Sequence, residues 1–429
     1  MNKALLLMIT LLMIPTMLFA QENYLEVTGQ GSSRQLPLAI AQPRSLGGGE
    51  NAEIAREIAD ILKFDLNLAG PFSIITGSLN EGSGGIRPGE FDYAPWRSIG
   101  AAFLIKSGYT ISGGSIVLEL RMYDILNGKP LAGKRYTLKR SELRKVTHAF
   151  SDEAMFVVTG EKGPFTGKIA FVSPVSGNKE VFIMDYDGYN VKKLTKNGAI
   201  TINPDFSPNG REIIYTSFKR GNPDLYRRDI STGAEARVSS RQGGNLTGAW
   251  SPDGGKIALT MSKDDNSEIY TISKDGRQLA RLTNNEAIDI SPSWSPDGSH
   301  IAFVSDRLGK PQIFTMSSGG SSPRRLTYSG NYNVSPNWSP KGDRILYCRQ
   351  QSGGFQIHAI NPDGSGDTQL TTEGRNEYPH WSPDGRFITF SSNRDGREAI
   401  YVMRADGTGQ TKVSRGGRAD SQPTWSARW

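Results

Sequence analysis

The sequence predicts a mainly β fold, a six-bladed β-propeller preceded by a small α/β two-layer domain. Three observations lead there. Aromatic anchors recur at Phe206, Trp250, Trp294, Trp338, Trp381 and Trp425, always 43 or 44 residues apart, the length of one four-stranded propeller blade. A turn phrase follows the first five: "WSPDG" at Trp250, Trp294 and Trp381, "WSPKG" at Trp338 and "FSPNG" at Phe206. Residues 21–160 lack this repeat and carry two stretches of helical periodicity instead. Composition agrees, since 49 Gly and 23 Pro with 36% hydrophobic residues suit a turn-rich β protein better than a helical enzyme.

Residues 1–20, "MNKALLLMITLLMIPTMLFA", hold one positive charge at Lys3, an apolar run from Ala4 and a small residue, Ala20, before "QEN". That is the three-part form of a secretory signal peptide. A retained anchor is the competing reading, but Pro15 interrupts a run already near the lower limit for a bilayer span. No cysteine lies near Ala20 to take a lipid, and no other stretch is long enough to span a membrane. A periplasmic or secreted protein is expected. Residues 21–35 then form a flexible mature N-terminus rich in small and polar residues.

Residues 36–160 read as the α/β domain. "LPLAIA" (36–41) and "PFSIIT" (71–76) are strand-like, and Ile54, Ile58, Ile61 and Leu62 mark one face of a helix between them. Further strands are expected near 101–110, 115–124 and 131–138. A second amphipathic helix follows, with Leu143, Val146, Phe150 and Val157 inward and Ser141 as its N-cap. Residues 161–167, "EKGPFTG", read as a hinge.

From 168 the blade grammar begins. In the unit from Ser291, "SPSWS", "HIAFVS", "QIFTMS" and "PRRLTY" are strands separated by "PDG", "DRLGKP" and "SGGSS" turns. Second strands are expected at Lys168–Ser173, Glu212–Ser217, Lys256–Met261, His300–Ser305, Arg344–Arg349 and Phe387–Ser392. The two series are offset: no anchor precedes Lys168, and no second strand follows Trp425. The economical solution is closure of the ring, with "SQPTW" supplying the innermost strand of the blade begun at Lys168, which removes exposed sheet edges. A propeller over 168–429 follows. The repeated phrase is scaffold, the aromatic ring packing between blades and Ser-Pro-Asp-Gly making the hairpin. Function belongs to positions that differ between blades, or outside the propeller.

The charge balance excludes little but points away from nucleic acid. The +7 net charge is scattered; residues 21–162 balance, and the excess lies in 163–429, without a basic run. The only cysteine, Cys348, allows no internal disulfide. Gly82–Gly85 and Gly47–Gly49 lack the spacing of a phosphate loop, and there is no Gly-x-Ser-x-Gly elbow. The histidines, His148, His300, His358 and His380, have no partner at metal-ligand spacing. "DDNSE" at Asp264–Glu268 lacks the glycine and terminal glutamate of a calcium loop. No catalytic residue, metal or cofactor is assigned.

One pattern carries information. A small polar residue stands five positions before every anchor: Thr201, Asn245, Asp289, Asn333, Asn376 and Asp420. In a propeller this segment opens onto the mouth of the central channel, so the six form either a polar binding ring or six local turn caps; both readings stay open. The positions three before each anchor, Asn203, Thr247, Ser291, Ser335, Tyr378 and Gln422, vary freely, as a partner-binding face does.

The order of these parts, the stretch "EVFIMDYDGYN" (Glu180–Asn190) and "YAPWRSIGAAFLIKSGY" in the N-terminal domain resemble the TolB family of the Tol–Pal cell-envelope system over essentially the whole mature chain. The resemblance implies a non-enzymatic, monomeric periplasmic adaptor. It implies binding of the peptidoglycan-associated lipoprotein Pal at the propeller mouth, of TolA through the mature N-terminus, and of other envelope proteins, in support of outer-membrane integrity and constriction at division. Carried over by position, the Pal-facing residues are Gly244, Thr247, Asp289, Ile290, Ser291, Asn333, Asn376 and Glu377, joined by Thr201, Asn245 and Asp420 of the ring and by Ser335, three before its anchor. The tail residues are Glu22, Tyr24, Leu25 and Val27. Gly244, Ile290 and Ser291 depart from a better-known branch of the family. A channel receptor for a glycan or small ligand is the alternative, and a propeller-type hydrolase a second, lacking a catalytic constellation.

Overall fold

A computed structural model describes residues 35–75, 84–175, 177–416 and 418–427. The expected signal peptide and the tail residues Glu22, Tyr24, Leu25 and Val27 lie outside them. The N-terminal domain is built on one six-stranded sheet. Its strands are β1 (Leu36–Ile40), β2 (Arg44–Gly47), β3 (Phe72–Ile74), β4 (Phe103–Ser112), β5 (Ser115–Asp124) and β6 (Lys129–Lys139). The order is β3-β1-β4-β5-β6, with β2 also on β4; β1, β2 and β3 pair in parallel and β4, β5 and β6 antiparallel. Helices α1 (Ala52–Ala69) and α3 (Leu143–Thr159) share a buried core with this sheet. A separate cluster joins Trp96, in the short α2 (Ala94–Ser98), to Ala39, Leu104 and Tyr123.

Local chemistry sets the helix ends. The Asn51 side chain caps α1 by accepting from the Ile54 amide at 3.0 Å, and Ile54, Ile58, Ile61 and Leu62 are all buried as their spacing predicts. The Ser141 cap is not formed. A 3-10 turn (Arg140–Glu142) comes first, and the Glu142 carboxylate accepts from the Lys139 amide at 2.8 Å. A longer acidic side chain reaches back one turn where the serine was expected to act. On α3, Leu143 and Phe150 are buried, whereas Val146 and Val157 are only half-buried.

The propeller has six four-stranded sheets. Blade 1 starts at Thr201, blade 2 at Asn245, blade 3 at Asp289, blade 4 at Asn333 and blade 5 at Asn376. Blade 6 is closed as expected: Ser421–Trp425 pairs antiparallel with Lys168–Ser173, Trp425 opposite Ile169. The Ser426 amide donates to the Lys168 carbonyl at 2.8 Å, and the Lys168 amide donates to the Ser426 hydroxyl at 2.9 Å. The anchors are interblade pieces. Trp250 packs with Ile214 and Leu225 of blade 1 and Ile257 of its own blade; Trp381 bridges Leu346 and Ile388 in the same way. In the turn after Trp250 the Ser251 hydroxyl donates to Asp253 at 2.5 Å, and Gly254 adopts φ 68°, a conformation that favours glycine. Cys348 is fully buried, and burial pushes its thiol pKa up, so it behaves as a small core residue.

Antiparallel pairing gives the propeller two distinct faces. The anchor hairpins and the third-to-fourth turns lie on one, the starts of the innermost strands and the second-to-third loops on the other. The N-terminal domain rests on the first. Arg404, ending the third strand of blade 5, donates to the carbonyls of Asn67 (2.6 Å) and Leu68 (3.0 Å) at the end of α1. Arg386 pairs with Glu161, and Arg144 of α3 pairs with Asp187 of the blade 6 turn. One hydrophobic core runs through both parts, from Leu66 and Phe150 to Met184, Phe387, Val402 and Trp425.

The segment 161–167, expected as a hinge, is seated in that core. Phe165 is buried, lies 5.5 Å from the Tyr186 ring, and its amide donates to Asp152 at 3.0 Å. At the centre of the joint His148 sits between two carboxylates, Asp65 on Nδ1 (2.9 Å) and Asp187 on Nε2 (3.4 Å). The Tyr186 hydroxyl donates to Asp65 as well. Burial alone would lower the His148 pKa; the charge of Asp65 and the bonds to both carboxylates overcome it and raise it from 6.5 to about 10. Burial and the two aspartates push Tyr186 well up, so it stays a neutral donor.

Candidate binding face of the propeller

The face opposite the N-terminal domain surrounds the mouth of the channel, and every innermost strand enters it in the same distorted way. Register shifts between the positions four and one before each anchor, as between Ile202 and Asp205 or Ile290 and Ser293. At the bulge, Asn203, Thr247, Ser291, Ser335, Tyr378 and Gln422 all adopt φ between 45° and 56°. Six non-glycine residues in the left-handed region, one per blade, are held there by the ring rather than by their own preference.

The bulge decides what each predicted residue does. Thr201, Asn245, Asp289, Asn333 and Asn376 are 0% exposed and Asp420 is 2%. Asn333 donates to the Gln312 side chain (2.7 Å) and to the Ser329 carbonyl (2.9 Å) and accepts from Arg349 (3.2 Å). Asn376 repeats this with Gln356, Glu373 and Arg394. Asn245 donates to the carbonyls of Arg241 and Pro223, Asp289 accepts from Asn285 and Arg307 at 2.8 Å, and Thr201 donates to the Ala199 carbonyl. Burial pushes up the Asp420 pKa. The expected ring exists, but its side chains are buried; Thr201, Asn245, Asn333 and Asn376 bond carbonyls of their own loops as turn caps do, whereas Asp289 bonds side chains only. They tie the loop before each innermost strand to the preceding blade, because at a bulge the positions five and three before the anchor no longer share one face.

The surface is presented by their neighbours. Gly244, Thr247, Ile290, Ser291, Ser335 and Glu377 are half-buried, and Tyr378 is exposed. Part of the inner ring is closed on itself: the Asn203 amide donates to Gln422 (2.8 Å) and its side chain to Thr247 (3.2 Å). Glu377 lies 2.9 Å from Arg375, and burial raises its pKa against that charge. Of the nine large apolar side chains that the described propeller exposes, seven belong to this face. Ile200, Ile288 and Tyr332 stand six before their anchors, Val175 and Leu308 are in second-to-third loops, and Tyr328 and Tyr378 complete the set. The other two, Tyr189 and Val191, are on the side of the N-terminal domain.

The strain gives a direct test. Ser291→Gly is expected to raise stability by about 1 kcal/mol, because glycine adopts this φ without the side-chain clash. Ser291→Val is expected to lower it by a similar amount or more. Urea titrations of the two variants would separate them in sign, and equal midpoints would show that the bulge is not strained.

At the opposite end of the channel the anchors line a cavity of about 310 Å³. There the side chains just before the anchors reach to the next blade: Asp205, Ser293 and Asn337 accept from the amides of Trp250, Trp338 and Trp381. His380 occupies the same position, its Nδ1 2.9 Å from the Trp381 carbonyl and its Nε2 3.2 Å from the Thr424 hydroxyl of the next blade. Among the described residues no group of three His, Cys, Asp or Glu side chains is placed to hold a metal ion, and no helix is long and apolar enough to cross a membrane. The residues that sequence reasoning missed are those of the interdomain joint, Asp65, His148, Tyr186 and Asp187. Their one visible signal was the "DYDGY" run at 185–189. Gly188 (φ 87°) packs there so closely that a Cβ on it would lie only 1.8 Å from the Val413 carbonyl oxygen.

Comparison with known proteins agrees with this architecture. Residues 156–429 match the TolB β-propeller domain family and residues 23–131 the TolB amino-terminal domain family. Two curated relatives, each named Tol-Pal system protein TolB, are those of Geobacter sulfurreducens, 61% identical over 49% of this chain and 48% of the relative, and Geobacter metallireducens, 60% identical over 50% of each. The chain thus spans about half the length of the curated relatives it matches. The crystal structure of TolB from Acinetobacter baumannii superposes with a TM-score of 0.80 at 26% identity, covering 92% of this chain and 97% of that one.

Proposed function

Because the chain belongs to the TolB family, we propose that it is a non-enzymatic periplasmic adaptor of the Tol–Pal system. It binds the peptidoglycan-associated lipoprotein Pal on the mouth face and TolA through its N-terminal region, Glu22, Tyr24, Leu25 and Val27 included. In this role it supports outer-membrane integrity and constriction at division. The observation that carries the reading is the gathering of exposed apolar side chains on the face that the N-terminal domain leaves open. Apolar side chains gathered on one open face favour a protein-binding role. The positive excess of residues 163–429 favours an acidic partner. In this reading Gly244, Thr247, Ile290, Ser291, Ser335 and Glu377 contact Pal, while Thr201, Asn245, Asp289, Asn333, Asn376 and Asp420 hold the loops that present them.

Calorimetric titration of residues 21–429 with the soluble domain of Pal from the same organism tests it. Saturable binding is expected, weakened about tenfold or more by Tyr378→Ala combined with Glu377→Ala, a loss of about 1.4 kcal/mol or more, with thermal stability nearly unchanged. A folded protein that takes up no Pal would sink the adaptor reading.

A further inference from the structure

A near-sixfold backbone sets a problem for any partner seated on the mouth, because six blades offer six similar scaffolds that only their side chains tell apart. A single orientation needs a feature that occurs once and lies off the axis. The repeat shows where to look. Each fourth strand leads into an apolar residue and a Thr or Ser; in blades 2 to 6 the hydroxyl accepts from its own blade's third strand, as Thr327 does from the Ile313 amide at 3.0 Å. The next residue is exposed in every blade: Ser240, Asn284, Tyr328, Thr372, Arg415 and Lys196 in blades 1 to 6. Only blade 3 places an aromatic ring there, and Tyr328 is 73% exposed. In the adjoining second-to-third loop blade 3 carries Leu308, 63% exposed, where blades 2 and 5 carry Asp264 and Asp395.

These two departures from the repeat fall in one place. Leu308 and Tyr328 line the same cleft of about 380 Å³, with Lys310 and Arg325 beside them. The Arg325 guanidinium lies 4.9 Å from the Tyr328 ring and Lys310 is exposed. Single exposed apolar residues need no explanation. A leucine and a tyrosine sharing a cationic cleft at the rim of an interface have the make-up of an anchor pocket.

Resting on the adaptor reading above, we propose that the Leu308–Tyr328 cleft fixes the azimuth of the docked partner by taking an apolar side chain flanked by a carboxylate from the domain seated on the mouth. The apolar group fills the space between Leu308 and Tyr328, and the carboxylate meets Lys310 and Arg325. The cleft then adds an off-axis contact to those at the mouth, and one orientation is favoured over the other five.

The test combines Leu308→Asp with Tyr328→Thr, which puts into blade 3 an acid like that of blade 5 and a threonine like that of blade 4 at these positions. The full chain is titrated with the soluble Pal domain, and a photocrosslinking residue in place of Ser352, in the neighbouring loop of blade 4, reports orientation. Binding at least tenfold weaker, an unchanged melting temperature, and crosslinks spread over several partner sites where the unsubstituted blade gives one are the expected results. Equal affinity with the same single crosslink overturns the inference and leaves the adaptor reading standing. If the wild-type chain does not bind the Pal domain at all, the adaptor reading falls and this inference with it.

Discussion

Asp65→Ala is expected to destabilise the protein by about 3–5 kcal/mol, the cost of removing one partner from a buried ionic pair. Asp65 is 0% exposed and takes bonds from both His148 and Tyr186. Its loss leaves a buried imidazolium with Asp187 alone and a buried phenol without its acceptor at the joint between the two domains. Asp65→Asn, which keeps an acceptor and removes the charge, should cost less. The pH profile identifies the cause. His148 has its pKa raised from 6.5 to about 10, so its contribution is complete below pH 6.5 and shrinks as pH rises, vanishing above about 10. Melting temperatures of the wild type should therefore fall between pH 7 and 10, and the Asp65→Ala variant should show a flatter profile. Coincident profiles, or a cost under about 1 kcal/mol, would remove this network from the account of the interface.

Trp425→Ala is expected to cost about 3–5 kcal/mol, the range for an aromatic side chain cut from a core. Trp425 is 3% exposed, stacks on Tyr186 at 5.8 Å and meets Phe387 at 6.2 Å. It belongs to the strand that closes the ring and to the core shared by both domains. Trp294 serves one blade boundary and is only half-buried, with its indole donating to the Ala249 carbonyl, so Trp294→Ala should cost distinctly less. Guanidinium titrations of the two variants make the comparison. Equal losses would mean that Trp425 acts as an ordinary anchor.

The propeller was legible because its information is periodic. One spacing repeated across the anchors carries the blade count, and the offset between the strand series carries the closure at Ser421–Trp425. The polar residues five before each anchor were found by the same periodicity, but not their direction. A bulge with a left-handed residue interrupts the two-residue alternation on which inside and outside are read, so the direction of Asn333 stayed open in the sequence, and in the structure it is a buried tie. The interdomain joint was hidden for a different reason. Asp65, His148 and Asp187 are far apart in the chain, and each alone is an unexceptional residue on a helix or turn. Segment 161–167 has the composition of a linker, and only packing shows that Phe165 holds it in place.

The shared core also constrains the order of events during synthesis. The N-terminal domain is made first, yet the surface it docks on includes Trp425, which belongs to the last strand described. Until Ser421–Trp425 has paired with Lys168–Ser173, the seat for α1 and Tyr186 is unfinished. The complete seat for the first-made domain therefore forms late. A chain stalled or clipped short of Trp425 would offer its oldest part an incomplete seat.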